Sequence, residues 1–164
     1  TIETWKKVNF RDVENLLDWL YISADSLKFL RLHLQVISKD SPTQFNSVLK
    51  KIGKFYNLET LKVKITDRFS ELNNEMRINL TIEILLSLTY VVQKLPRIQI
   101  FEFVPHFIVP DMPRSSFIVA DSFLAALASK SSLERLVLGI LITKWLNLSK
   151  WITLMPNLKE YCSN

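Results

Sequence analysis

Two histidines, His33 and His106, and one cysteine, Cys162, are all the imidazole and thiol that this 164-residue sequence holds. An acid-base pair or an activated nucleophile needs its members within hydrogen-bond reach. Here each stands in a different copy of a recurring strand phrase, so His33 could approach Glu102 or Cys162 only across several strands, each about 4.8 Å from the next. No HExxH or GxSxG motif occurs, the carboxylates are not paired at catalytic spacing, and two glycines, Gly53 and Gly139, leave no phosphate-cradling loop. The sequence therefore points away from an enzyme. No metal site or cofactor is expected, because no His/Cys spacing suits zinc, and the lone cysteine, which cannot close an internal disulfide, fits a reducing compartment, cytoplasm or nucleus.

What remains is the chemistry of charge and apolar contact on a regular scaffold. The stretch Ser26 to Leu34, SLKFLRLHL, carries leucines at 27, 30, 32 and 34 with Phe29, Arg31 and His33 among them. The phrase returns as NLETLKVKI from Asn57, RIQIFEFVP from Arg97, SLERLVLGI from Ser132 and NLKEYCSN from Asn157, with a weaker copy, WKKVNFRD, at Trp5. The first apolar residues of successive phrases, Trp5, Leu27, Leu58, Ile98, Leu133 and Leu158, are spaced by 22, 31, 40, 35 and 25 residues, around the repeat length of solenoids.

Between the phrases lie helical patterns. Val13, Leu16, Leu17 and Leu20 follow i, i+3, i+4, i+7, and Ser41-Pro42-Thr43-Gln44 opens a helix expected to bury Phe45, Val48, Leu49, Ile52 and Tyr56. Met76 to Leu95 is apolar almost all round and should be covered on more than one side. Phe117, Ala120, Leu124 and Leu127 mark a fourth helix, and Leu148, Trp151, Ile152 and Met155 a fifth. Thr66 to Asn74 and His106 to Pro113 read as loops.

Strand alternation distinguishes a one-sided sheet from a doubly wound one, whose strands read as continuous apolar runs. Arg31 and His33, Lys62 and Lys64, and Glu102 interrupt the apolar residues at every second place, so one sheet face must be wet. Alternation also orders the outward side chains into columns across the strands. The first column is Lys7, Phe29, Thr60, Ile100, Arg135 and Glu160. The second is Asn9, Arg31, Lys62, Glu102, Val137 and Cys162, and the third Arg11, His33, Lys64, Val104, Gly139 and Asn164.

The first three phrases thus offer Lys7, Arg11, Arg31, Lys62 and Lys64 around His33 with no acid, and the later ones turn apolar through Ile100, Val104 and Val137. With Phe29, Glu102 and Arg135 these residues make the candidate partner-binding face. A basic patch beside an apolar one fits a protein segment that is acidic or phosphorylated. Lysines that only keep a sheet soluble account for the basic columns equally well. Nucleic acid is the alternative partner, raised by a net charge of +5 and a pI near 9.4 and weakened by Phe29 being the only outward aromatic, since Trp5, Trp19, Trp145 and Trp151 fall on or near apolar stripes. A third reading makes the segment a purely structural subunit whose ends are capped by the rest of a longer chain or by neighbouring subunits.

Helix end, proline or polar residue, then L-x-x-L-x-L, best seen in LPRIQIFEF and MPNLKEY, resembles the leucine-rich repeat family over most of the chain. The long irregular repeats are most similar to the ribonuclease-inhibitor type and to the repeat regions of fungal F-box proteins. Gln35, Thr66, His106 and Leu141 stand where the family usually places Asn or Cys. The resemblance implies an α/β solenoid, with a curved parallel sheet on the concave side and helices on the convex side. It also implies a protein-interaction scaffold, in its most concrete form the substrate-binding part of a ubiquitin-ligase adaptor, although no F-box is legible in these residues.

Residues 1–164 are read as a single domain of about six irregular strand-helix repeats, rich enough in apolar residues, 48%, for a buried core. With an opening Thr1 and a last strand phrase that stops almost at once, it is expected to be a piece of a longer protein. The longest apolar run, Ile84 to Val92, is too short for a bilayer, so no membrane partner is expected.

Overall fold

The structure, a computed structural model, describes residues 2–3, 10–36, 41–67, 73–106, 117–139 and 148–163. Along the chain these form β1 (Ile2–Glu3), α1 (Phe10–Leu20), a 3-10 turn (Tyr21–Ser26), β2 (Phe29–Val36), α2 (Ser41–Ile52), β3 (Thr60–Asp67) and α3 (Asn74–Lys94). There follow β4 (Ile100–His106), α4 (Phe117–Ala128), β5 (Arg135–Leu138), α5 (Leu148–Ile152) and β6 (Glu160–Ser163). All strands are parallel and lie in chain order, β1-β2-β3-β4-β5-β6. The two-residue β1 is one edge, and β2 to β6 form the five-strand body.

Chain-order strands with same-handed crossovers put every connecting helix on one side of the sheet, and the packing agrees. Leu30, Leu32 and Leu34 of β2, Leu61, Val63 and Ile65 of β3, Phe101 and Phe103 of β4, and Leu136 and Leu138 of β5 join one core with residues of α1 to α4. Helices touch their neighbours in chain order from α1 to α5. The residues between, Arg31 and His33, Lys62 and Lys64, and Glu102 and Val104, are exposed or half-buried and lie outside that core.

The same turn precedes four of the strands. After α2, Phe55 N donates to Ile52 O (3.0 Å) and Leu58 N to Phe55 O (2.9 Å). Residues 127, 130 and 133 and residues 152, 155 and 158 repeat the pattern, and Leu95 N bonds Val92 O. Next, one carbonyl accepts two N–H groups from the following repeat: Lys28 O from Glu59 and Thr60, Glu59 O from Gln99 and Ile100, Gln99 O from Glu134 and Arg135, and Glu134 O from Lys159 and Glu160, at 2.8–3.1 Å. This ladder sets the strand register before the sheet proper begins. Gly139 closes the other end of β5: its N–H reaches Phe103 O (2.9 Å), and a Cβ there would lie 2.8 Å from Pro105 Cδ.

Several expectations change. Arg11 was placed on the first strand phrase, yet it lies on helix α1, exposed. Val13, Leu17 and Leu20 commit the chain from Phe10 onward to a helix, and the described first strand is Ile2–Glu3. Lys7, Asn9, Trp5 and Trp145 lie outside the described residues. Tyr56 is exposed, because α2 ends at Ile52 and the turn, no longer following the helical period, buries Phe55. Trp19 is 68% exposed, off the α1 stripe. β3 extends to Asp67 and β4 to His106, into stretches read as loop. α3 begins at Asn74, capped by Asn73 Oδ1 accepting from Met76 N (2.9 Å). It is flanked by α2 and α4, which explains its wide apolar surface, although Leu86 remains exposed.

Lys130 occupies the turn position that Phe55, Leu95 and Met155 fill with buried apolar side chains. It extends to donate from Nζ to Gln93 O (3.1 Å), and burial lowers its pKa below the ordinary 10.5. Lys130→Leu should therefore raise stability by about 1 kcal/mol at pH 8, through added apolar burial and relief of the ammonium's desolvation. Between the lowered native pKa and 10.5 the unfolded chain binds more protons at this site, so its contribution to stability rises with pH there. Urea unfolding at pH 8 and pH 10.5 should show the advantage of the leucine variant shrinking at the higher pH. An advantage that grows with pH would contradict this account.

Candidate binding face

The sheet face opposite the helices collects eight of the ten residues singled out from sequence. Register aligns Phe29, Thr60, Ile100, Arg135 and Glu160 in one row, Arg31, Lys62, Glu102, Val137 and Cys162 in the next, and His33, Lys64 and Val104 in a third. Each strand's period of two aims these side chains away from the core. Arg11 is not among them, and Lys7 is outside the described residues. In the first strand the register pairs Glu3, not Asn9, with Arg31, so an acid stands in register with the first three strands, where none was expected.

Neighbouring rows bring opposite charges together. Lys62 Nζ donates to Glu102 Oε1 at 2.7 Å, with side chains only 23% and 18% exposed. Arg135 Nη2 stands 3.8 Å from the same oxygen, and Arg135 Nε 3.3 Å from Glu160 Oε2. The second approach lies off the N–H direction, because buried Nε has no hydrogen-bond acceptor, so the attraction to Glu160 is coulombic. A chain of alternating charge, Lys62, Glu102, Arg135 and Glu160, thus crosses four adjacent strands with no net charge. The basic patch expected from the columns is neutralised at its centre.

Positive charge persists toward β2 and β3. Arg31 and Lys64 are exposed, and between them half-buried His33 holds its Nε2 3.3 Å from the Thr66 hydroxyl. The apolar side of the face is shallower than expected. Phe29, Ile100 and Val104 are half-buried, whereas Val137 is 2% exposed and Thr60 8%. Val137 is no contact surface as it stands. Thr66 and Glu160 belong to the working arrangement although sequence reasoning did not single them out as site residues. Glu160 was legible as the residue beside Arg135 in the first column. The contact of Thr66 with His33 crosses columns and carries no signal in the alternation.

Among the described residues no group of three His, Cys, Asp or Glu side chains could hold a metal ion. The shifted phenols stand off this face. Tyr56 is raised by its hydrogen bond to Asp25, and Tyr161, raised chiefly by burial, shares the core-facing register of Leu136. Among the described residues no helix is long and apolar enough to cross a membrane.

Fold and face together define a one-directional α/β array: a single parallel sheet in chain order, helices on one side and a charged, partly apolar face on the other. No protein-family model matches the chain, and no curated protein matches it.

Proposed function

We propose that the chain is a leucine-rich-repeat-like solenoid whose open sheet face is concave and binds a protein partner through an acidic or phosphorylated segment. The observation that carries this reading is the exposure of two cations, Arg31 and Lys64, on adjacent strands at one end of a face whose Lys62 and Arg135 lie against Glu102 and Glu160. A ligand carboxylate or phosphate meets two exposed cations there, while Phe29 and Ile100 supply apolar contact alongside. A substrate adaptor of the F-box type is the most concrete form of such a scaffold, with substrate capture assigned to this face.

Fluorescein-labelled peptides rich in glutamate or phosphoserine, titrated in anisotropy, test the reading. A charge-assisted hydrogen bond contributes about 1.5–3 kcal/mol, so Arg31→Ala and Lys64→Ala should each weaken binding roughly 10- to 150-fold. Lys50→Ala and Lys51→Ala, on α2, should change it less than about threefold. Equal, small effects of all four substitutions would remove the open face from consideration.

A further inference from the structure

The side of the molecule away from the open face carries a second, separate surface. At the C-terminal ends of the first three helices, tyrosine rings and lysines alternate. Tyr21, 54% exposed, follows α1 and has Lys54 Nζ 5.4 Å above its ring. Tyr90, 43% exposed and near the end of α3, has Lys94 Nζ 5.7 Å above its own. The two pairs meet at Gly53, next to Lys54, where an added Cβ would stand 3.3 Å from Tyr90 Cε1 and 3.5 Å from Lys94 Cβ. Tyr56, 49% exposed, lies two residues beyond Lys54, with Arg97 near enough to act on its phenol electrostatically. Asp25, the acid adjoining this row, accepts a hydrogen bond from the Tyr56 hydroxyl. Lys54, Lys94 and Arg97 have no carboxylate within 4 Å among the described residues.

We propose that this tyrosine-lysine row binds single-stranded nucleic acid, its lysines meeting phosphates and its rings stacking on bases. Charge sets the sign of the ligand, since cations without acid partners call for a polyanion and would repel a second copy of the same row. The rings set its class. An acidic peptide would satisfy the lysines and leave three half-exposed rings unused, whereas each base offers a π-face and each linkage a negative charge. A lysine resting over a ring is weakly held in water and can swing to a phosphate as a base takes its place. Adjacent helix axes lie about 8–10 Å apart, so α1 to α3 span a length suited to a strand of several nucleotides. The proposal is independent of the open-face reading, because it uses none of the same residues.

Anisotropy of a fluorescein-labelled 12-nucleotide oligouridylate, titrated with the intact chain between 50 and 300 mM KCl, tests it. Binding should weaken steeply with salt. Lys54→Ala with Lys94→Ala should weaken it at least tenfold and flatten the slope of log K against log salt by about 1.4, for two phosphate contacts on a single strand. Tyr21→Leu with Tyr90→Leu should weaken it at least tenfold while leaving the slope unchanged, and Arg31→Ala with Lys64→Ala should leave binding intact. No binding at 50 mM KCl overturns the proposal. So does a dodecameric polyglutamate that displaces the RNA as well as unlabelled RNA does, since charge alone would then suffice. Binding to phosphatidylserine vesicles in place of RNA overturns it too. The competition and vesicle arms use the unmodified chain and do not depend on any variant folding.

Discussion

Phe101→Ala should lower the unfolding free energy by about 3–5 kcal/mol, the usual loss when a fully buried phenylalanine is truncated. Phe101 is 0% exposed in β4, the strand between β3 and β5, and register sets it beside Leu61 and Leu136. Its ring packs at 5.9 Å, tilted by 57°, on Phe123 of α4. Truncation therefore opens a void between sheet and helix layer and removes an aromatic pair worth about 0.5–1.5 kcal/mol beyond area burial. Urea unfolding followed by far-UV circular dichroism should show the midpoint falling with the slope unchanged. A loss below about 1 kcal/mol would mean that α4 does not pack on the sheet as described.

Glu102→Lys should be the most damaging single change on the open face. It removes the carboxylate 2.7 Å from Lys62 and 3.8 Å from Arg135 and sets a third cation between them. Hydrogen bonds to charged groups are worth about 1.5–3 kcal/mol, and like-charge repulsion adds to that loss where the side chains are largely shielded from water. Glu102→Gln, which keeps shape and one acceptor, should cost about 1 kcal/mol. Lys159→Ala, removing the exposed pair with Glu134 (2.9 Å), should cost less than about 1 kcal/mol. Denaturation in 0.1 M and 1 M NaCl separates the contributions, because at 1 M the screening length falls to about 3 Å and the repulsive part of the Glu102→Lys loss should shrink. A loss indifferent to salt would assign the effect to packing. In the peptide assay Glu102→Gln should bind acidic segments more tightly, since it releases Lys62 and Arg135 from their internal partner.

These two residues illustrate how far sequence reading reached. Phe101 and Glu102 are neighbours on one strand, and alternation alone sends the first to the core and the second to the open face. Phe123 was not on the stripe drawn through Ala120, Leu124 and Leu127. α4 is apolar over most of its surface, so periodicity gives no single direction, and contact with Phe101 picks Phe123 out. For Tyr56 and Trp19 the failure ran the other way. A 3.6-residue period was carried past the end of α2 in the first case. In the second, an aromatic residue was assumed to follow the stripe beside it.

The end of the first strand phrase changed for a related reason. WKKVNFRD alternates only over a few residues, and an amphipathic helix beginning at Phe10 takes its last three, Phe10, Arg11 and Asp12. The helix prevails because Val13, Leu17 and Leu20 together bury more apolar surface than a short edge strand could. Arg11 goes with it, away from the sheet.

The amino-acid sequence alone determined the alternation of strand and helix, the one-sided wetting of the sheet and the columns of β2 to β6, because all of these follow from local periods of 2 and 3.6 residues. Only the tertiary structure decided what the charges on those columns do. Whether Lys62 faces a ligand or Glu102 depends on distances across strands forty residues apart in the chain. The same holds for the tyrosine-lysine row, whose members are scattered through three repeats and become neighbours only when successive helix ends are stacked. Local periodicity says which way a side chain points; the packing of repeats sets what it meets there.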